Sequence, residues 1–177
     1  MQNIVYKTVA LNELYKIAEI DRAEKIEESY QYRDGMLSLY PTPEIVEAFD
    51  TTELNNIIEK QIELKTNGGE VIGAFVNDKL VGVASVENKK RGLKLQYCKM
   101  DILYVSNHYR GNKIGHYLVF EIKNIARKIG AQKLYISATP TRATVDFYLR
   151  EGAQIAKEID QELFLLEPLD IHLEIDL

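Results

Sequence analysis

Residues 103–118 read L-Y-V-S-N-H-Y-R-G-N-K-I-G-H-Y-L, a strand that passes through a short polar turn straight into a helix. Residues 103–105 are apolar and suit a buried strand. Arg110, Gly111, Asn112, Lys113 and Gly115 make a turn whose amide N–H groups can crowd together. Ile114, Leu118, Ile122, Ile125 and Ile129 then recur at helical spacing. Amides gathered at a helix N-terminus suit an anion. Taken alone, the turn fits an ordinary strand-to-helix connection equally well.

Working outward, Ile4 to Val9 alternates as a strand does, and Asn12 is placed to cap a helix with Leu14, Ile17 and Ala18 inward. Asp34-Gly35, flanked by Tyr30, Tyr32, Leu37 and Leu39, predicts a hairpin. Pro43 suits a first helical position. Asp50 followed by Glu53 resembles a capping box for a helix carrying Leu54, Ile57, Ile58 and Ile62, which stops at Asn67-Gly68-Gly69. Val71 to Val76 and Leu80 to Val86 are apolar strands joined at Asn77-Asp78-Lys79. A polar loop over Asn88 to Gly92 then leads into a strand from about Leu93 to Val105. After the quoted helix come a strand over Lys133 to Ala138 and a helix capped by Thr141, with Val145, Tyr148 and Leu149 on one side and Gly152 as its stop. A weak strand near Ala153 to Ala156 and an alternation at Ile171, Leu173 and Ile175 finish the chain. This order predicts a mixed α/β layer, and residues 1–177 read as a single domain without repeat or linker.

Composition narrows the function. The chain has 177 residues, 46% of them hydrophobic, so it can bury a sizeable core. A formal net charge of −5 argues against bulk attraction to nucleic acid. Cys98 is the only cysteine, so no internal disulfide forms, which fits a reducing compartment and a cytoplasmic location. M-Q-N-I-V-Y-K shows no basic segment followed by an apolar run, so no secretory leader is expected. No stretch approaches the roughly 18 apolar residues of a membrane helix. His108, His116 and His172 lack the paired spacing of metal ligands, and no metal is expected.

The anion turn is neither of the common nucleotide loops. A Walker A loop needs G-x-x-x-x-G-K followed by Ser or Thr, and a dinucleotide fingerprint needs G-x-G-x-x-G; R-G-N-K-I-G is neither. It resembles the pyrophosphate loop of the GNAT superfamily of acyl-CoA-dependent N-acetyltransferases, in which Gln or Arg is followed by two variable residues, Gly, one variable residue, and Gly or Ala. Arg110, Ile114 and Gly115 match. Lys113 stands where the first glycine usually is, a departure that a helical backbone there would accommodate. Residues 139–153, T-P-T-R-A-T-V-D-F-Y-L-R-E-G-A, resemble the later helix of that family at Phe147, Tyr148 and Gly152, with Thr141 where Asn is common. The resemblance covers roughly residues 70 to 153.

It implies a GNAT-like central mixed sheet, mostly antiparallel, splayed at the cofactor strand and with helices on both faces. It implies acetyl-CoA as cosubstrate. The pyrophosphate would lie on Arg110, Gly111, Asn112, Lys113, Ile114 and Gly115, and the pantetheine arm on the backbone of Leu103, Tyr104 and Val105, as an added strand would. Thr141 falls in the same site. Tyr148 matches the family tyrosine that donates to the leaving sulfur; by its residues alone it reads first as a core tyrosine on an amphipathic helix. Asp101, a few residues before the cofactor segment, is the candidate base, with Tyr104 and Glu28 as weaker ones, and a water path without a dedicated base remains open. Asp21, Glu24, Glu27 and Glu28 fall where such proteins build the acceptor wall. The expected partner is a small-molecule or protein amine, with no nucleic acid and no membrane. A homodimer is common in proteins of this resemblance, with the tail strand at Ile171 to Ile175 able to pair across it. The rival reading on the same fold is a non-catalytic acyl-CoA sensor or interaction module.

Overall fold

A computed structural model describes residues 3–177. Met1 and Gln2, where the leader reading begins, lie outside the described residues. The strands are β1 (Val5–Thr8), β2 (Glu24–Arg33), β3 (Met36–Val46), β4 (Glu70–Val76), β5 (Lys79–Arg91), β6 (Tyr97–Val105), β7 (Lys133–Ala138), β8 (Gln154–Ile155) and β9 (Ile171–Asp176). The α-helices are α1 (Thr51–Thr66), α2 (Ile114–Ile129), α3 (Arg142–Arg150) and α4 (Gln161–Leu166). A seven-stranded sheet runs β1-β4-β5-β6-β7-β9-β8, and β2–β3 forms a separate two-stranded hairpin. Every pairing in the large sheet is antiparallel except β6 with β7. Among the described residues no helix is long and apolar enough to cross a membrane.

Helices cover both faces. Ile114, Leu118, Val119, Ile122 and Ala126 of α2 pack with Val145 and Tyr148 of α3 on one face. On the other, Leu64 of α1 joins Leu14, Ile17 and Ile20. The Leu11–Glu19 segment is a 3-10 helix entered from Ala10, not an α-helix capped by Asn12. Three residues per turn bring Leu14, Ile17 and Ile20 to one side and leave Ala18 exposed. Asp50 does cap α1, its carboxylate accepting from Glu53 N at 2.9 Å.

Three further expectations change. Pro43 lies within β3, in the bulge where the register with β2 shifts between Ile26 and Glu28, so it takes no regular ladder position. The loop placed at 88–92 is strand as far as Arg91, because Lys90 pairs with Cys98 and Arg91 with Tyr97. Arg91 is buried and holds Glu87, Asp160 and Glu162. The following strand accordingly begins at Tyr97, after a turn in which Gly92 and Leu95 have φ of 86° and 53°. Finally, β9 runs between β7 and β8, so the tail strand is not the free edge that pairing across an interface would need.

Beside this inner strand lies a buried charge. Glu174 is fully buried, and its carboxylate accepts from Tyr97 Oη at 2.5 Å, Lys133 Nζ at 2.6 Å, Gln154 Nε2 at 3.1 Å and Lys157 N at 3.2 Å. Burial pushes this carboxyl up, but the bonds from Lys133, Tyr97 and the Lys157 amide outweigh it and hold it below its ordinary value. A carboxyl held low stabilises the fold above its unfolded-state value, and the contribution is lost as pH falls through the folded value. Removing one donor leaves a buried acceptor short of a partner. Tyr97→Phe should therefore lower unfolding free energy by about 1–3 kcal/mol in urea at pH 7. The gap between variant and wild type should narrow as Glu174 is protonated at acid pH.

Candidate active site

Strands β6 and β7 pair from Tyr97↔Lys133 to Met100↔Ile136 and then part, although β6 continues to Val105 and β7 to Ala138. The backbone of Asp101–Val105 thus loses its partner on the β7 side. On the β5 side, Val86 faces Met100 and Ala84 faces Leu103, leaving Asp101 and Ile102 opposite Ser85 alone. This bulge bends β6 where it leaves β7. It also puts Asp101 and Ile102 toward the same face, with Ile102 and Tyr104 packed on the α1 side and Leu103 and Val105 on the α2 side.

The turn that follows is rich in free donors. Arg110 N bonds Asn107 O at 3.1 Å, and Tyr117 N bonds Lys113 O at 3.1 Å. Between them, among the described residues, the amides of residues 111–116 reach no protein acceptor. Gly111 and Lys113 have φ of 81° and 60°. Lys113 is the N-cap of α2 and sits in the left-handed region, not in the helical backbone expected for it. That conformation suits glycine, which accounts physically for the glycine of the resembled loop. Gly115 packs closely for a different reason: a Cβ there would lie 3.2 Å from two ring atoms of Phe147, which would have to shift slightly. The two matched segments therefore touch. Amides gathered in such a turn, at the start of a 16-residue helix, fit a diphosphate.

Arg110 braces the turn. Its Nε donates to Val105 O at 3.2 Å and its guanidinium to Arg22 O at 3.3 Å, with Glu24 at 3.6 Å. Asn112 Nδ2 donates to Tyr109 O at 3.1 Å. Thr141 caps α3, its Oγ1 accepting from Thr144 N at 3.3 Å and donating to Thr144 Oγ1 at 2.9 Å. Tyr148 is buried on α3, and its hydroxyl is pushed well above the ordinary phenol value by burial first and the neighbouring Tyr104 second.

Asp101 is held firmly. Lys99 Nζ donates to one carboxylate oxygen at 2.5 Å and Gln61 Nε2 to the other at 2.8 Å. Burial pushes its carboxyl up, but Lys99, with help from Gln61, carries it below the ordinary value. An aspartate so held is a weak base. Gln61 escaped the sequence reading, although a polar residue midway between Ile58 and Leu64 on an apolar helix face is a visible signal. Arg22, Phe49 and Glu53, which gather near Tyr104, carried none.

Of the acidic residues Asp21, Glu24, Glu27 and Glu28, the last three lie on β2. Glu27 pairs with Lys25 at 2.9 Å, Glu28 with Arg142 at 2.6 Å and Asp21 with His108 at 3.9 Å. Glu24 and Glu28, with Asp146 of α3, line a cavity of about 250 Å³ between β2 and α3.

The chain belongs to the GNAT acetyltransferases: the model of the acetyltransferase (GNAT) domain matches residues 38–159. It is thus an acetyltransferase whose acetyl donor is acetyl-CoA. Similar solved structures include a nourseothricin acetyltransferase, 16% identical, with 98% of each chain covered and a TM-score of 0.71. The PaiA N-acetyltransferase of Thermoplasma acidophilum, in complex with coenzyme A, is 16% identical over 99% of each chain with a TM-score of 0.63. A GNAT family acetyltransferase of Elizabethkingia anophelis with acetyl-CoA bound is 17% identical, covering 67% of this chain and 82% of its own, with a TM-score of 0.51. No curated protein matches the sequence.

The left-handed Lys113 offers a direct test. Glycine there relieves about 1–2 kcal/mol of backbone strain and returns roughly half of that as extra freedom of the unfolded chain. Lys113→Gly should raise unfolding free energy by about 0.5–1 kcal/mol in urea titration.

Proposed function

We propose that this protein moves the acetyl group of acetyl-CoA to a primary amine by direct attack. The observation that carries the reading is the run of free amides at residues 111–116, placed at the end of a strand that has just lost its neighbour. The amides of Gly111, Asn112, Lys113, Ile114 and Gly115 would hold the pyrophosphate, with Arg110 fixing the turn. The free backbone of Leu103, Tyr104 and Val105 would receive the amides of the pantetheine arm. An amide near Val105 is assigned to the carbonyl oxygen as it gains charge.

Tyr148 is assigned as the acid for the departing thiolate. A phenol raised by burial stays protonated across the neutral range, so its O–H is there to donate a hydrogen bond to the departing sulfur as it gains charge. Asp101 is assigned an electrostatic part. Its carboxylate stays ionised beside Lys99 and Gln61 and accepts a hydrogen bond from the incoming amine, while water takes the proton. Thr141 serves the site by capping the helix that carries Tyr148.

Calorimetry should show acetyl-CoA binding, and a thiol-release assay over an amine panel should show turnover. Tyr148→Phe should lower kcat about 100-fold while the dissociation constant of acetyl-CoA stays nearly unchanged. Wild-type activity in that variant would remove Tyr148 from the role, and binding without turnover on any amine would favour the sensor reading.

The pH profile follows from the same assignment. The reacting amine must be neutral, and an alkyl ammonium titrates near pH 10, so kcat/KM should climb from pH 6 to pH 9. Because Tyr148 is shifted upward, it should impose no falling limb in that range.

A further inference from the structure

The side chains of one wall beside the opening have no task in the acetyl-transfer reading. The wall is made of Phe49, just before α1, Glu53 in the first turn of α1, and Tyr104 on β6. Phe49 and Tyr104 meet edge to face, with 5.2 Å between ring centroids. The ring face and the carboxylate converge on a single group, the guanidinium of Arg22, which lies 4.6 Å from the Phe49 centroid and 2.5 Å from Glu53 Oε1. An aromatic face beside a carboxylate is a site for a cation.

Arg22 fills this site incompletely. Its Nε is buried without an acceptor among the described residues. Its side chain is 25% exposed and that of Glu53 35%, so solvent reaches both. The segment that carries Arg22 is secured by bonds that do not involve the guanidinium. Asn107 N donates to Asp21 O at 2.8 Å, Asp21 N to Ser106 Oγ at 3.1 Å, and Arg110 to Arg22 O at 3.3 Å. The side chain can therefore swing out while the segment stays in place.

We propose that Phe49 and Glu53, with Tyr104 behind them, recognise a second cationic group of a di- or polyamine acceptor, and that Arg22 is an internal stand-in which the acceptor displaces. The bound nitrogen is not the reacting one. A carboxylate and a ring face both favour the charged amine, whereas the attacking nitrogen must be neutral. An acceptor held here thus needs a separate amine to present to the thioester. The identity of that reacting amine rests on the acetyl-transfer reading; the cation site stands on its own geometry.

The test uses the full chain loaded with coenzyme A, titrated calorimetrically with 1,5-diaminopentane and with 1-aminopentane, alongside acetyl transfer to both. In Glu53→Gln the ratio of diamine to monoamine affinity should fall about tenfold. In Arg22→Gln, where the competitor is gone, it should rise about threefold. Arg22→Lys keeps a cation able to compete and should give a ratio near that of wild type; circular dichroism confirms that each variant is folded. Weaker diamine binding in Arg22→Gln, equal shifts for both amines, or no diamine binding at millimolar concentration in either wild type or Arg22→Gln would overturn the proposal. Opposite-signed ratios without transfer to any amine would leave the cation site standing and remove the transfer reading. Transfer with equal shifts would do the reverse.

Discussion

The parting of β6 from β7 beyond Met100 and Ile136 is the constraint on which the rest depends. Two parallel strands that stop exchanging hydrogen bonds leave polar backbone that must find other partners or face a ligand. The bulge opposite Ser85 provides the bend, and packing on both faces keeps the separated segments from collapsing together. Leu103 and Val105 are held from the α2 side, and Ile102 and Tyr104 from the α1 side. A short internally bonded segment, residues 106–110, then links the end of β6 to the free amides of residues 111–116. Arg110, bonded to Val105 O and Arg22 O, ties that link to the segment on the acceptor side.

Charge in this protein is mostly spent on matching charge. Asp101 is neutralised by Lys99, Glu28 by Arg142 and Glu174 by Lys133. Even Arg91, in a basic run that reads as solvated loop, is buried among three carboxylates. This has a functional side. In the proposed reaction, an aspartate already paired with Lys99 and Gln61 takes a proton poorly, which leaves deprotonation of the amine to solvent.

Much of the fold was legible because it rests on local patterns. The period of Ile114, Leu118 and Ile122, the Asp50 and Thr141 caps and the Asp34-Gly35 turn each carry a short-range reason and recur in the structure. Where a strand expectation failed, the deciding partner was distant. Pro43 is strand because β2 lies beside it, and residues 88–91 are strand because β6 does. Ala18 is exposed because its segment winds with three residues per turn. The turn residues Arg110 to Gly115 could be read from their order, since backbone amides bind irrespective of side chain. Gln61 was readable in principle as a polar residue in an apolar stripe. Arg22, Phe49 and Glu53 come together only through the tertiary fold.

The place of β9 has a consequence for how the molecule is made. Strand β8 precedes β9 in the chain, yet β9 lies between it and β7. During synthesis, β8 has no edge to dock on until β9 has left the ribosome, and the carboxylate of Glu174 arrives only then. Until that moment Lys133 and Tyr97 lack their buried counter-charge, and the β7 side of the opening has no outer support. Strand β9 therefore enters this half of the sheet by closing a gap, and does not extend an edge.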